Sequence, residues 1–437
     1  MKLTRLIVGT VAAVVVITIV MRRCGREART FAKATDRATW GQILMVGEET
    51  EHHTSRHVAE LYDPLSNSFA ARPPVIHQGR GGATTSVIPA GRSAGKVLVA
   101  GGFTDGSGPL ASTELYDPAT NSFADGPQMN TDRDDHTATA IAAGPNPGEI
   151  LIVGGDTADL YDPRGNKFLA GPRTAHFRID HTATVIPSGP NARKILLAGG
   201  LDDLLAVIEH YNPAATEIYD PATNSFAAGP AMNVARQFHT ASVIPSGPNA
   251  GKILLVGGMA ANLSKALAST EIYDPATSTF APPRETPVMK VARTYHTATI
   301  ISGGPNAGRI LIAGGQQGEA GESLSSTELY DPATNRFVPG PTMHSNRSQH
   351  AAIVIASGPN VGKILITAGV TIQCDKSLHC GMVLLGTTEV YNPVRNTIAP
   401  GPTMYGAPGQ VAAVQLPPSP LSHSPATAGK QAPTTRH

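Results

Sequence analysis

The sequence predicts an all-β fold: a seven-bladed β-propeller closed by its own C-terminal strand, with a hydrophobic anchor helix at the N-terminus. Three observations predict it. A tyrosine in Y-D-P recurs at Tyr62, Tyr116, Tyr161, Tyr219, Tyr273 and Tyr330 and, as Y-N-P, at Tyr391, with a mean period of about 55 residues, near the length of one blade. Each copy breaks into four short β-type segments bounded by turn residues. The first copy lacks the segment with which the others begin, and a matching segment follows the seventh copy.

The unit reads most cleanly over residues 236–289. Its first two strands are typified by H-T-A-T-V-I (181–186) and K-I-L-L-A (194–198), short β-branched or apolar runs that read as buried strands. The turn P-S-G-P-N-A (187–192) joins them as a hairpin, with glycine and asparagine tolerating positive φ and proline fixing its own. Gly-Gly then ends the second strand where a side chain would not fit or the backbone must bend. T-E-I-Y-D (270–274) alternates as a half-buried third strand. D-P-A-T-N leads to a fourth, centred on Phe69, Phe123, Phe168, Phe226, Phe280, Phe337 and Ile398. The first copy starts at Trp40 with G-Q-I-L-M-V-G, so blade one begins at its second strand. V-A-A-V-Q-L (411–416) falls where a first strand belongs; donated to blade one, it closes the ring and removes two open sheet edges.

Composition agrees. Forty-five glycines, thirty-six prolines and only 15% charged residues describe many short strands and turns, and the unbroken repeat makes residues 40–417 one domain despite the chain's 437 residues. A net charge of +1, with no basic stretch interleaved with aromatics, gives no reason to expect nucleic acid.

Residues 6–21 form an uninterrupted apolar run between Lys2 and Arg5 on one side and Arg22, Arg23 and Arg26 on the other. Such a run is a signal-peptide core or a short membrane anchor. No small-residue cleavage box lies close to it, so residues 1–28 read as an uncleaved anchor and 29–39 as a linker; cleavage would make the protein secreted. Basic residues on both flanks leave orientation open to the positive-inside rule. The propeller is expected outside the cytoplasm, in a bacterial periplasm or at the cell surface. Cys374 and Cys380, in the blade-seven insertion C-D-K-S-L-H-C, can close a small loop as a disulfide in an oxidising compartment. They can also stand as free thiols, or hold zinc with His379. Residues 418–437, rich in Pro, Ser and Thr, form an expected disordered tail.

Gly-Gly followed by T-E-x-Y-D-P and an aromatic resembles the kelch repeat, and R-x-x-H-T-A-T with S-G-P-N-A-G-K resembles its bacterial variants, often secreted or membrane-anchored. The resemblance covers residues 40–417 and implies a propeller like the central domain of galactose oxidase. Phe, or Ile398, stands where many kelch repeats carry Trp. No single function is implied, because kelch propellers include protein-interaction adaptors, sugar isomerases and copper oxidases of alcohols. The oxidases need two His, two Tyr and a Cys crosslinked to one Tyr. Here the only propeller cysteines are the insertion pair and seven of ten tyrosines are the repeated Y-D-P residues, so that ligand set is not apparent. No catalytic residue and no cofactor is expected. Sialidase-type S-x-D-x-G-x-T-W turns are absent, Trp40 being the sole tryptophan.

His136, His181, His239, His296 and His350 hold one register position in five blades, with Ala83 and Val411 in the other two. A residue used once per blade is most simply an inter-blade hydrogen-bonding element, and five copies at one radius do not converge on one ion. The metal candidate is the blade-one insertion E-E-T-E-H-H-T-S-R-H (48–57), with His52, His53 and His57; otherwise it is a solvated loop. S-G-P-N-A-G-K is not a phosphate loop, having one residue too few between its glycines and no Ser or Thr after the Lys.

Comparing copies separates scaffold from candidate site. An arginine precedes each first strand, at Arg80, Arg133, Arg178, Arg236, Arg293 and Arg347, followed by two variable residues that include Asp134, Asp135, Asp180, Phe238 and Tyr295. If the first strands are innermost, this set rings one mouth of the axial channel, where guanidiniums can clamp carboxylates or phosphates. Kelch adaptors that bind acidic peptides are similar in using arginines there. Alternatively each arginine pairs with a third-strand acid, Glu60, Glu114, Asp159, Glu217, Glu271, Glu328 or Glu389, and Asp134, Asp135, Phe238 and Tyr295 become the better ligand contacts. The expected function is a non-catalytic, monomeric module at a membrane that binds a protein or glycan through this mouth and the long loops of blades one, four and seven. The alternative is an extracytoplasmic propeller that binds or processes carbohydrate.

Overall fold

The computed structural model describes residues 39–51, 54–104, 108–200, 214–260, 265–318, 321–374 and 380–419. Among the described residues seven antiparallel blade sheets, six of four strands and one of three, run in order from first to last strand, and three two-stranded sheets accompany them. Blade six is typical, with Thr297–Ile300, Ile310–Ala313, Thr327–Asp331 and Arg336–Pro339. The first strands of successive blades touch one another all the way round, so they line the axis. Blade one has the composite sheet that the sequence predicts: Ala412–Gln415 beside Ile43–Glu51, then Thr54–Asp63 and Ser68–Phe69. Its closing strand pairs Ile43 with Gln415 and Val46 with Ala412, and touches the first strands of blades seven and two.

Second strands such as Ile253–Val256 are buried on both faces because a blade packs on either side, which is why they read as unbroken apolar runs. Each interface has its own core. Ile244, Leu254, Val256 and Ile272 of blade five meet Ile310, Ile312 and Tyr330 of blade six. At the closure, Ile43, Met45 and Tyr62 meet Ile353 and Leu365 of blade seven in the same manner.

Blade three departs from the repeat. One extended segment, Ile150–Asp162, carries both the second- and third-strand sequences, and the fourth strand runs on from Lys167 to Arg178. The cause is local: Gly154-Gly155 is followed almost at once by D-L-Y-D, the shortest such connection in the chain.

The ring has two unlike faces. On the turn face, the S-G-P-N turn of each blade docks against the Y-D-P turn of the next. A Cβ on Gly247 would lie 2.1 Å from the Pro332 carbonyl oxygen, and on Gly358 2.1 Å from that of Pro64, so only glycine permits the approach. Blade one has no such turn, and Thr39 takes its place on blade two, its N–H donating to Pro118 O at 2.7 Å and its Oγ1 lying 2.6 Å from the Tyr116 hydroxyl. The chain enters and leaves on this face, where Gly41 N–H donates to Pro417 O at 3.0 Å. The opposite, loop face carries the R-x-x-H links and the connections that follow Gly-Gly.

Among the described residues the one helix is the 3-10 turn Pro283–Glu285, and none is long and apolar enough to cross a membrane. The anchor expected at residues 6–21 lies outside the described residues, as does the chain beyond residue 419.

Candidate functional site

The six arginines adopt one of the two roles left open by the sequence: every one is buried and ion-paired. Arg293 Nη1 donates to the carbonyls of Gly314 (2.7 Å) and Ser326 (3.0 Å), and Nη2 to Glu328 at 3.1 Å. Glu328 also accepts the N–H groups of Lys290 (2.8 Å) and Val291 (3.0 Å). The arginine thus ties the Gly-Gly connection to the third strand, while the acid caps the incoming link. The counterparts are Arg80–Glu114 at 3.3 Å, Arg133–Asp159 at 2.7 Å, Arg178–Glu217 at 2.9 Å, Arg236–Glu271 at 3.4 Å and Arg347–Glu389 at 3.1 Å. Burial lowers the Arg236 pKa to about 10, which leaves it charged at neutral pH. In blade one Pro408 stands at the arginine position, and Glu60 accepts the Gly406 N–H at 2.7 Å. These guanidiniums lie inside the blades and do not present themselves to a ligand at the mouth.

The five histidines are inter-blade struts. Nε2 of His136, His181, His239, His296 and His350 lies 2.9–3.0 Å from the hydroxyl of Thr84, Thr137, Thr182, Thr240 and Thr297, the first-strand threonine of the preceding blade. Nδ1 of each is buried as well. Burial, then the neighbouring arginine, lowers His136 and His296 to about 3, so the rings are neutral. Gly-Gly makes room for this strut: a Cβ on Gly101 would lie 2.4 Å from Arg133 O and 2.8 Å from His136 Cε1.

The second variable residue of each R-x-x-H link is left-handed in all six blades that have one: Gly82, Asp135, Asp180, Phe238, Tyr295 and Gln349, with φ between 50° and 63°. That conformation strings a hydrogen-bonded chain around the axis. Asp135 N–H donates to Gly82 O at 3.3 Å, Asp180 to Asp135 at 3.1 Å, Phe238 to Asp180 at 3.2 Å, Tyr295 to Phe238 at 3.3 Å and Gln349 to Tyr295 at 3.1 Å. Left-handed backbone is strained for aromatic residues, at about 1 kcal/mol or more each. The position that looks free for a ligand is therefore held by backbone geometry.

Phe238 and Tyr295 do come together, but against each other, buried with ring centroids 4.3 Å apart and packed on Met259. Asp134, half-buried, with Asp135 and Asp180, both buried, forms an acidic sector of the same ring. Burial, followed by the charges of Asp135 and Asp134, holds the Asp180 carboxyl well above the usual range. Among the described residues no group of three His, Cys, Asp or Glu side chains is placed to hold a metal ion. His52 and His53 lie outside the described residues, as does the side chain of His57.

Two stretches of the chain, residues 90–130 and 306–344, match the kelch motif. The protein is a kelch-repeat β-propeller.

In this kelch propeller one group of surface departures from the repeat lies on the loop face of blades seven and one. The hairpin Val370–Cys374 and Cys380–Leu384 projects from blade seven, tied at its base by the Ser348–Val370 bridge and on one side by the Ser323 N–H, which donates to Ile372 O at 3.2 Å. Cys374 and Cys380 are directly opposite in its register; their side chains lie outside the described residues. Met382 and Val383, adjacent and so on opposite faces of the strand, are both largely exposed, so this part of the hairpin stands clear of the body. Tyr405, also exposed, lies in the link beside the hairpin base, where Met404 N–H donates to Gly386 O at 2.9 Å. Sequence comparison passed over these three residues, although Tyr405 is the one aromatic after the repeated Met, where other copies have Asn130, Asn233, Lys290 or His344. The blade-one hairpin Ile43–Glu51 and Thr54–Asp63 meets the link that carries Tyr405, where the Gly406 N–H donates to Glu60.

Proposed function

We propose that this kelch propeller is a protein-interaction module, held at a membrane by residues 6–21 with its ring on the extracytoplasmic side, and that the partner docks on the loop face of blades seven and one. The observation that carries the reading is the exposed apolar set Met382, Val383 and Tyr405 at the hairpins of blades seven and one. The repeated polar groups, by contrast, are consumed inside the ring: arginine by acid and histidine by threonine. Exposed apolar side chains grouped on one face support docking of a protein. The kelch fold itself suggests such a module. A glycan at the channel mouth would want an exposed ring there, and Phe238 and Tyr295 bury theirs against each other. On the extracytoplasmic side Cys374 and Cys380 would be free to bond and stiffen the hairpin tip.

A photo-crosslinking residue at Met382 in cells, compared with one at Ala356 on the turn face, tests this. A discrete protein adduct from position 382, absent from 356 and lost on Tyr405→Asp, is the expected result. Equal labelling from both positions, or none from 382, refutes it. Protease added to intact spheroplasts should degrade the propeller; protection until lysis would place it on the other side.

A further inference from the structure

We infer that the turn face of blades seven and one rests on an anionic lipid surface. This rests on the membrane reading above and says which side of the ring faces the bilayer. Leu65, Val361 and Val394 are 72%, 61% and 67% exposed. Each occupies a turn position that four other repeats fill with alanine: Ala119, Ala222, Ala276 and Ala333 match Leu65 and Val394, while Ala94, Ala192, Ala250 and Ala307 match Val361. The three large aliphatic side chains therefore exceed what the fold asks for. They also lie close together. The turn bearing Val361 docks on the turn bearing Leu65, with Asn360 Nδ2 donating to Asn67 Oδ1 at 2.8 Å, and Val394 sits on the other turn of blade seven.

The charge around them has the matching sign. In blades two, four, five and six the basic residue closing the first hairpin pairs with the Asp of Y-D-P, as in Lys96–Asp117 at 3.0 Å and Lys252–Asp274 at 3.0 Å. Blade seven alone has Asn392 there, and Lys363 Nζ donates to Asn360 Oδ1 at 2.7 Å instead. Lys363 is half-buried, Arg395 adds an exposed cation, and neither turn of this blade, 355–363 or 392–396, contains an acid. Asp63, two residues before Leu65, accepts from the Leu65 N–H at 2.9 Å and the Ser66 hydroxyl at 2.8 Å and is the one acid in that turn. Aliphatic side chains rimmed by Lys and Arg fit the headgroup region of an anionic bilayer. The chain's path is compatible with this: Thr39 lies on this same face, and the seventeen residues between it and the apolar run can reach at most about 60 Å.

The test uses the full chain in vesicles of phosphatidylglycerol and phosphatidylcholine containing nitroxide-labelled lipid. Cys24→Ser, Cys374→Ser and Cys380→Ser clear the background, and a fluorophore is placed through Ala356→Cys on the turn face or Met382→Cys on the loop face. Loss of fluorescence at 356 and not at 382, relieved by Leu65→Ser, Val361→Ser and Val394→Ser together, is expected. Equal quenching at both positions, or none at 356 with the protein in the vesicle fraction, overturns the inference and leaves the anchor intact. If the full chain stays out of the vesicle fraction, the anchor reading fails by itself. The closed ring, residues 39–419, then decides the face: sedimentation with phosphatidylglycerol but not phosphatidylcholine vesicles, lost in the triple variant, sustains it, and no sedimentation ends it.

Discussion

Ser278 stands at the foot of Tyr273 and leaves that tyrosine's hydroxyl buried without a hydrogen-bond partner among the described residues. In the other six blades the equivalent residue is asparagine, and the Y-D-P tyrosine donates to its Oδ1, as Tyr330 does to Asn335 at 3.0 Å and Tyr62 to Asn67 at 2.9 Å. The position is left-handed in every blade, with φ of 55° at Ser278 and 49° to 52° at the asparagines, a conformation that asparagine accepts more readily than serine. Ser278 does hold one contact of the motif, accepting from Asn191 Nδ2 at 3.0 Å, just as Asn67 accepts from Asn360.

Ser278→Asn should therefore stabilise the protein. The new amide oxygen can accept from both Tyr273 and Asn191, and a satisfied buried hydroxyl together with relieved backbone is worth about 1 kcal/mol. In a ring of this size that raises Tm by roughly 1–3 °C. The control is Tyr273→Phe, which removes the orphaned hydroxyl and should cost little in the native protein, yet reduce the gain to the backbone's share when combined with Ser278→Asn. A Tm for Ser278→Asn at or below that of the native chain would show that the hydroxyl is satisfied in solution.

The histidine struts make stability fall in acid. His136, His181 and His296 are held at about 3, and His239 and His350 well below their ordinary value, chiefly by burial. An unfolded histidine binds a proton near pH 6.5. Between pH 6.5 and about 3 the unfolded chain thus holds more protons than the folded one, and stability drops as pH falls, by up to about 1.4 kcal/mol per pH unit for each histidine. Above pH 6.5 the effect vanishes. Asp180 has the opposite sign: its raised pKa keeps a proton on the folded state above the ordinary carboxyl range, so its contribution is lost as pH rises. Urea unfolding of Asp180→Asn from pH 7.5 to 4.5 removes the strongest opposing group, and the remaining raised groups, Asp134, Glu149 and His77, are common to both variants compared. Adding His296→Gln should lower stability at pH 7.5 by about 1 kcal/mol through the lost Thr240 hydrogen bond and reduce the slope by one proton; parallel curves would mean that His296 titrates in the fold.

Blade count, strand content and closure were legible because each rests on a pattern repeated seven times and read along the chain. Gly-Gly was legible as a steric demand, though not what it avoids, the Arg133 carbonyl and the His136 ring of the neighbouring link. The arginines were harder. Arg293 and Glu328 are 35 residues apart and both repeat, so pairing and ligand binding predict the same pattern, and only the burial of both side chains separates them. Phe238 and Tyr295 misled for a physical reason. Variation at their position reflects a ring of left-handed backbone that tolerates many side chains at a cost, and side chains pointing to the axis can pack on each other. Leu65, Val361 and Val394 become a patch only once turns of different blades are seen to dock.

The last strand is the weakest link in the ring's cooperativity, because it alone reaches its sheet through no covalent hairpin. It contributes four paired residues, from Ile43–Gln415 to Val46–Ala412, buries Ala412, Ala413 and Leu416, and is clasped by Gln415 Nε2, which donates to the carbonyls of Gly41 at 2.7 Å and Gln42 at 3.0 Å. Without it, the apolar edge Ile43–Val46 is unpaired on one side and the cores on both faces of blade one lose residues. A chain ending at Ser419 should fold as the full protein does, and one ending at Gly409 should aggregate or dimerise through blade one. Adding a synthetic peptide of residues 408–419 during refolding should restore a monomer by light scattering, since the missing element is a strand and not a domain. Within the intact chain, Ala413→Asp places a carboxylate against Ile353 and Leu365 of blade seven and should cost about 3 kcal/mol or more, the range for burying an unpaired charge. If the Gly409 truncation proved monomeric with an unchanged Tm, the ring would be held shut by blades seven and two alone, and Val411–Leu416 would be packing filler without a closing role.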